Sequence, residues 1–213
     1  MIFDRNVSVA FKHEPVLLDS IVQDIQKALM NDLKWLNIAF GRSYKLVQHT
    51  DNGDKFIYPA AYISNSEYTS LLPNDRYGNF SWFDLYDPQH VTNVIHSLPQ
   101  LEFSGAIVFW FDLTSIYTDS KFIYTEDVKN EILQVLTKPG LISTHGRIEI
   151  TAIYERFENI YKGYSLERIY NNNNYKGEGI EALDRQFFMF PYAGLRFEFK
   201  ITTRELCKRF IKH

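Results

Sequence analysis

A continuous apolar run near the middle of the chain is the feature that most constrains the fold. The run SGAIVFWFD, from Ser104 to Asp112, is apolar at almost every position. A strand with one face in solvent alternates apolar and polar residues, whereas a strand covered on both faces is apolar nearly throughout. The run therefore predicts the central strand of a sheet that is covered on both faces.

Two alternating segments predict a further pair of strands. In FPYAGLRFEFKIT, Phe190 to Thr202, one set of alternate residues is apolar and the other is polar. The apolar set is Leu195, Phe197, Phe199 and Ile201, and the polar set, expected to face solvent or a neighbouring subunit, is Arg196, Glu198, Lys200 and Thr202. The second segment, RIEITAIYER, sets Ile148, Ile150, Ala152 and Tyr154 against Glu149, Thr151, Ile153 and Glu155. We expect these two strands to pair.

The segment between these strands is predicted to project from the domain. Residues 160–186 include the run Asn171 to Asn174 and the triplet Gly177-Glu178-Gly179, which are unsuited to a packed core. We therefore expect an arm or long loop at about 160–186. It is followed by the strand Phe190 to Thr202 and by a short C-terminal helix.

Two amphipathic helices are predicted from apolar stripes at helical spacing. The first has Pro15 in its first turn and ends at Asn31-Asp32; its stripe consists of Val16, Leu17, Leu18, Ile21, Val22, Ile25, Ala28 and Leu29. The second has Thr125 as its N-cap and is closed by Pro139-Gly140; its stripe consists of Val128, Ile132, Val135 and Leu136.

The remaining part of the first half predicts a hairpin and a long loop. The turn signal Asp51-Asn52-Gly53 separates Tyr44–Val47 from the strand-like FIYPAAYIS. Leu71 to Pro88 is rich in turn-forming residues and is predicted to be a long ordered loop that leads into a short strand. This loop carries the aromatic residues Phe80, Trp82, Phe83 and Tyr86.

Together these elements predict a single α+β domain spanning residues 1–213. We expect a mostly antiparallel sheet with the two principal helices packed on one face, plus the projecting arm. A length of 213 residues suffices for one well-packed core, and 45% hydrophobic residues make disorder of the whole chain an unsuitable description.

Composition also bounds the function and the compartment. A formal net charge of -3 disfavours a protein whose main task is to coat duplex nucleic acid. Cys207 is the only cysteine, so no internal disulfide and no multi-cysteine zinc site are expected. The N-terminus lacks a signal-peptide pattern and no stretch has the length of a membrane span, so we expect synthesis in the cytoplasm and no membrane partner.

One set of charged residues has a spacing found in a class of nucleases. Metal-dependent nucleases of the PD-(D/E)xK type place an Asp and an E-x-K on adjacent strands, where two carboxylates hold a divalent metal and the Lys orients water. Asp184, Glu198 and Lys200 have a tolerable spacing for this arrangement. The motif is weak, because an acid and a lysine two residues apart are common on the exposed face of any strand.

Other catalytic and cofactor patterns are missing from the sequence. His90 and His96 are six residues apart and do not share a helical face as a metal pair would; no G-x-S-x-G or G-x-x-x-x-G-K is present. The aromatic run could stack bases, but Asp75, Asp84 and Asp87 make its neighbourhood acidic. We expect no enzyme activity, no cofactor and no metal site, and instead a protein that interacts through Phe80, Trp82, Phe83, Tyr86, Arg196, Glu198 and Lys200.

Several blocks of the sequence, in this order, resemble tail-terminator or tail-completion proteins of tailed bacteriophages. The blocks are PVLLDSIVQDIQKAL with LKWLNIAFGRSYKL, FIYPAAYI with EYTSLLPNDRYGNFSWFDLYDP, GAIVFWFDL, and FPYAGLRFEFKIT. The richness in Asn, Tyr and Lys is similar to that of crAss-like and related gut phages. The insertions QHTDNGDK and NNNNYKGEGIEA depart from the family pattern, so a ring at another level of the neck is almost as compatible.

The resemblance implies a non-enzymatic virion protein of the head–tail connector or tail end. Such proteins form a homo-oligomeric ring through which phage DNA passes without sequence-specific binding, between neighbouring connector and tail proteins. On this basis Trp82 and Phe83 are expected to anchor a contact between subunits. Two alternatives stay open: the nuclease described above, and a small adaptor that binds a host protein through the aromatic loop.

Overall fold

The structure is a computed structural model and describes residues 9, 11–49, 53, 55–64, 67–73, 77–92, 100–117, 125–142, 146–165 and 191–203. The described helices are α1 (Leu18–Asp32), α2 (Leu113–Ile116), α3 (Thr125–Leu136) and α4 (Phe157–Ile160). The described strands are β1 (Ile38–His49), β2 (Lys55–Ser64), β3 (Glu67–Ser70), β4 (Phe80–Leu85), β5 (His90–Thr92), β6 (Gln100–Asp112), β7 (Arg147–Tyr154) and β8 (Tyr192–Thr203). The predicted α+β class is confirmed, while the predicted arm beyond residue 165 and the predicted C-terminal helix lie outside the described residues.

The described strands form one mixed sheet. Seven of them follow the order β3-β2-β1-β4-β6-β8-β7, and β5 also pairs with β6. All pairs are antiparallel except β1 and β4, which run parallel. The apolar run lies in β6, between β4 and β8, so its predicted central position is confirmed. The predicted β1–β2 hairpin and the predicted pairing of β7 with β8 are also confirmed.

One face of the sheet, the helix-covered face, is covered by α1 and α3 as predicted. The buried residues of the two helices share one cluster with inward-facing residues of β6 and β8. Those of the helices are Leu18, Ile21, Val22, Ile25, Leu29, Val128, Ile132, Val135 and Leu136, and those of the two strands include Ile107, Phe109, Leu195, Phe197 and Ile201. Helical spacing in the sequence was sufficient to identify this layer.

The two principal helices begin differently from the predicted helices. α1 begins at Leu18 and not near Pro15, and the preceding Leu17 has a φ of 49°, outside the right-handed helical region. Thr125 is the first residue of α3 and not its N-cap, and its Oγ1 donates a hydrogen bond to Glu155 Oε2 over 3.2 Å. Both corrections concern helix ends, where a local bond or dihedral decides the boundary.

The opposite face of the sheet, the aromatic face, is covered by α4 and the turn that follows it. Four residues of this covering segment are buried against rings of β1, β4 and β6: Phe157, Ile160, Tyr161 and Tyr164. The rings they meet include Phe40, Phe80, Trp82 and Trp110. The predicted start of the arm at residue 160 is therefore wrong, because residues 160–165 pack on the sheet.

A bulge in β7 changes which of its residues face the core. The register of β7 against β8 shifts between Ile150 and Ala152. An extra residue in one strand reverses the alternation beyond it. As a result Ile153, predicted to lie with the polar set, packs beside Ile148 and Ile150 against the helix-covered face.

Candidate functional site

Three of the four aromatic residues predicted to contact a neighbour lie inside the protein's own core. Phe80, Trp82 and Phe83 belong to β4, an inner strand, and each has 0% relative exposure. Phe80 and Trp82 pack on the aromatic face, whereas Phe83 packs on the helix-covered face. The prediction that Trp82 and Phe83 anchor a contact between subunits is wrong, because neither ring has surface to offer. Tyr86 is half-buried.

The three charged residues of β8 do not share one environment. Arg196 is buried at 1% relative exposure, so the prediction that it faces solvent or a neighbour is wrong. The physical reason is the segment 157–165, which covers the face toward which Arg196 points. Glu198 is partly buried, with its side chain 18% exposed, and Lys200 is 43% exposed as expected and lies 2.9 Å from Glu102 Oε1.

A polar cleft opens where β1 separates from β4. The two strands pair only from Ile38 to Arg42, and beyond that point β1 pairs with β2 alone among the described strands. A cavity of about 620 Å³ lies between Ser43–Lys45 and Asp84–Tyr86. It is lined by Leu18, Arg42, Ser43, Tyr44, Lys45, Asp84, Leu85, Tyr86, Asp87, Gln89, Phe103, Ser104, Lys162, Gly163, Tyr164 and Arg196. This volume is in the range of small-molecule sites.

A buried hydrogen-bond network lines one side of the cleft. Arg196 Nη2 donates to Asp84 Oδ2 over 2.7 Å and also to the Tyr86 hydroxyl, while its Nη1 donates to the Ile160 carbonyl over 3.2 Å. Tyr164 donates its hydroxyl to Asp84 Oδ1 over 3.0 Å. The two opposite charges are thus paired inside the protein, as burial of an ionised group requires.

Two further contacts tie the covering segment to both sides of the cleft. The Tyr164 hydroxyl lies 3.3 Å from Ser43 Oγ on β1 as well as bonding Asp84 on β4. Ser165 Oγ accepts a hydrogen bond from the backbone N–H of Ile57 over 2.6 Å. The segment therefore bridges the strands at the point where their backbone hydrogen bonding stops.

Burial shifts the pKa values of the groups in this network. Burial raises the pKa of Tyr86 to about 12, although the charge of Arg196 opposes that increase. Burial, together with the charge of Asp84, also raises the pKa of Tyr164. For Arg196, burial lowers the pKa, but Asp84 and Tyr86 more than offset it and the net shift is upward. The tyrosines therefore stay neutral and the guanidinium stays charged through the physiological range.

The proposed nuclease residues do not form a recognisable metal centre in the described part of the chain. Asp184 lies outside the described residues. Glu198 accepts a hydrogen bond from the Tyr86 hydroxyl over 3.1 Å and lies 3.6 Å from Lys162 Nζ, whereas Lys200 pairs with Glu102 on β6. Within the described ranges no group of three His, Cys, Asp or Glu residues is placed to hold a metal ion. Glu198 and Lys200 are each engaged in ion pairs with neighbouring elements.

A second candidate site lies on the β1–β2–β3 end of the sheet. Beyond Arg42, β1 and β2 continue as an antiparallel ribbon in which Ser43–His49 pairs with Lys55–Ala61, and β3 joins the outer edge of β2 from Ala60 onward. Three exposed rings, which we call the tyrosine patch, lie on this ribbon and on the adjoining β3: Tyr44, Tyr62 and Tyr68, at 43%, 42% and 48% exposure. Ring centroids are 5.4 Å apart for Tyr44 and Tyr68 and 5.6 Å apart for Tyr62 and Tyr68. These contacts make one continuous exposed aromatic surface.

Neither site was predicted from the sequence, although each corresponds to a recognisable sequence feature. Asp84 interrupts the apolar strand FSWFDL, and Arg196 interrupts the apolar run around it. Two opposite charges, each set among core-forming residues, are a signal for a buried pair. The tyrosine patch was visible as tyrosines in strand-like segments on both sides of the hairpin, but only the pairing register shows that they meet.

The comparisons give no relative on which to base an identity. No protein family model, no curated protein sequence and no solved structure matches the chain. Across the part of the chain that the structure describes, none of the helices combines the length and apolar character needed to cross a membrane.

Proposed function

We propose that the protein is a structural, non-enzymatic subunit that assembles with copies of itself into a ring in the neck or tail end of a tailed bacteriophage. The order of the sequence blocks that resemble tail-terminator and tail-completion proteins supports the phage assignment. In the virion the ring would contact neighbouring connector and tail proteins and let DNA pass without reading its sequence.

The single observation that carries the assembly proposal is the tyrosine patch. Tyrosine is enriched where proteins meet, because its ring buries a large apolar area while its hydroxyl tolerates water. Tyr44, Tyr62 and Tyr68 present such an area on β1, β2 and β3, the three strands at one end of the sheet. A patch on these strands suits a heterologous contact, which closes into a ring when successive subunits are rotated by a constant fraction of a turn.

The proposal is tested by imaging the purified full chain across a concentration series with negative-stain microscopy, in parallel with mass photometry. We expect closed rings with a central hole at high concentration. The double variant Tyr44→Ser with Tyr68→Ser is expected to remain monomeric over the same series while retaining its circular dichroism spectrum.

Val91→Ser is the matched control, because Val91 is 61% exposed on β5 and lies outside the tyrosine patch. It should form rings as the unmodified chain does. Rings formed equally well by the tyrosine double variant would remove the patch from the interface. Only monomers of the unmodified chain at every concentration would contradict self-assembly, and plasmid cleavage with Mg²⁺ that Lys200→Ala abolishes would favour the nuclease instead.

A further inference from the structure

We propose that the polar cleft between β1 and β4 binds a small ligand through an oxyanion, a phosphate or carboxylate group. The inference is separate from ring assembly, since it concerns a different set of residues. It rests on the shape of the cleft, on the balance of donors and acceptors that line it, and on the way its charged groups are already paired.

The cleft is built by the fold and is not a chance surface depression. Its walls are two strands that start as a parallel pair and then part. Tyr164 contacts both walls, through Ser43 of β1 and Asp84 of β4, and Ser165 bonds Ile57 of β2, which pairs with β1. A preformed concave site of about 620 Å³ with a few convergent polar groups is the usual form of a small-molecule site.

The lining has more donors than acceptors that are free to take a ligand. Four cationic side chains line it, Arg42, Lys45, Lys162 and Arg196, against the two carboxylates of Asp84 and Asp87. Asp84 is already occupied, because it accepts hydrogen bonds from Arg196 and from Tyr164. The hydroxyl groups of Ser43 and Ser104 and the amide of Gln89 add further donors, whereas the hydroxyls of Tyr86 and Tyr164 already donate to Glu198 and Asp84. A ligand that brings acceptor oxygens complements this surface.

The cations near the mouth are held loosely by the protein's own carboxylates. Arg42 lies 3.6 Å from Asp19 with its side chain 40% exposed, and Lys162 lies 3.6 Å from Glu198 with its side chain 54% exposed. Lys45 Nζ lies 5.5 Å from the centroid of the Tyr164 ring. Exposed ion pairs of this kind contribute little to stability, so the side chains are available to turn toward an anion.

Arg196 supplies a buried positive charge beside the site. Its side chain is 1% exposed and lines the cleft, and its Nε has no hydrogen-bond partner among the described residues. Glu198 Oε1, the acceptor that forms an ion pair with this nitrogen, lies 3.8 Å away, beyond hydrogen-bond distance. Because this nitrogen is itself buried, the guanidinium acts on a bound anion through its positive charge and not through a hydrogen bond from Nε. Arginine beside hydroxyl donors is a common arrangement for recognising phosphate and carboxylate.

The test is isothermal titration calorimetry of the full chain at constant ionic strength with three probes: inorganic phosphate, adenosine monophosphate and citrate. We expect saturable binding of at least one probe, and the preferred probe distinguishes free phosphate, a phosphate ester and a carboxylate as the ligand group. Lys45→Met and Lys162→Met should each weaken that binding roughly 10-fold, the usual effect of losing one charge-assisted hydrogen bond.

Lys138→Met is the matched control, because Lys138 is a 59% exposed lysine that pairs with Asp32 away from the cleft. Its binding should equal that of the unmodified chain. Absence of saturable heat with all three probes overturns the inference, as does equal weakening by Lys138→Met. The same samples, imaged for rings, separate this result from the assembly proposal, since neither Lys45 nor Lys162 belongs to the tyrosine patch.

Discussion

The two faces of the sheet are buried by different means. The helix-covered face is filled mainly by aliphatic residues and phenylalanines, and its outer layer consists of regular helices. On the aromatic face, Tyr161 and Tyr164 of one short helix and its following turn pack in the same cluster as Trp82, Trp110 and Tyr77, and this face contains the Arg196–Asp84 ion pair. One face thus relies on apolar periodicity, and the other combines large rings with specific hydrogen bonds.

The contrast shows how a short covering segment is kept in position on the sheet. A helix with a continuous apolar stripe gains enough from burial to pack without polar contacts. The segment 157–165 is too short for such a stripe and is fixed instead by directed bonds, including Tyr161 Oη to the Leu71 carbonyl at 2.9 Å and Arg196 to the Ile160 carbonyl. Bonds of this kind fix geometry, but each leaves a costly unpaired group when its partner is removed.

The largest contrast is expected at Arg196. Arg196→Met leaves the Asp84 carboxylate buried without its cation, so we expect a loss of about 3–5 kcal/mol in the free energy of unfolding. Lys200→Met, on the same strand but in an exposed pair with Glu102, should cost less than about 1 kcal/mol. Urea unfolding followed by circular dichroism measures both.

Equal losses for the two variants would show that the aromatic face does not depend on a buried pair. The double variant Asp84→Leu with Arg196→Met sharpens the comparison, because replacing both members of a buried pair by apolar residues is often nearly neutral. It should recover part of the stability lost by Arg196→Met alone, because the Tyr164 hydroxyl and the Ile160 carbonyl still lose their partners.

Large-to-small changes should affect both faces alike. Trp82→Ala on the aromatic face and Phe109→Ala on the helix-covered face each remove a ring with 0% exposure, and each should cost about 3–5 kcal/mol. The measurement is again urea unfolding, at a concentration where the chain is monomeric. An unchanged stability for Trp82→Ala would show that this ring is not a core contact of the aromatic face.

A smaller loss is expected from Gly105→Ala in β6. A Cβ at this position would lie 2.7 Å from the Asp84 carbonyl oxygen and 3.0 Å from both Leu85 Cδ2 and Phe199 Cζ. The β4 backbone and the side chains of Leu85 and Phe199 must shift to admit it, at a cost of about 1–3 kcal/mol. Gly41→Ala is the control, because its nearest atom, Gln26 Oε1, is 3.6 Å away. A melting temperature that falls equally in both variants would contradict this account.

The alkaline side of the stability curve should also distinguish the two faces. The pKa of Tyr86 is raised to about 12 by burial, so the folded state holds this proton more tightly than the unfolded state, where the pKa is near 10. Stability is therefore unaffected below about pH 10 and falls as the pH rises from about 10 toward 12. Tyr86→Phe should make this fall shallower, as measured by unfolding at several pH values. A slope unchanged by Tyr86→Phe would show that Tyr86 does not contribute.

The helix-covered face could be predicted from the sequence more fully than the aromatic face. The stripes of α1 and α3 and the apolar run of β6 predicted their elements because burial repeats at the period of the element itself. The alternation of β8 predicted Leu195, Phe197, Phe199 and Ile201 as core, which their burial confirms. The same alternation misplaced Arg196, since a period of two separates the faces of a strand but does not say what covers the second face.

The candidate sites were harder to predict from the sequence than the fold, for a related reason. The cleft depends on where β1 leaves β4, and the tyrosine patch depends on which residues of β1, β2 and β3 are opposite one another. Both are properties of register between separate segments. In a single sequence, the register between two strands is indicated mainly by the hydrophobic pattern. On a ribbon exposed to solvent that pattern is weak, so the register cannot be predicted.

Local periodicity and the need to bury apolar surface specify the α+β class, the two principal helices, the central strand and the pairing of β7 with β8, so these could be read from the sequence. The packing of separate segments specifies that Phe80, Trp82 and Phe83 are core, that Arg196 is buried against Asp84, and that three tyrosines meet at the surface. A residue's environment is set by the segment that packs over it, and for Trp82 and Arg196 that segment, residues 157–165, lies far from β4 in sequence.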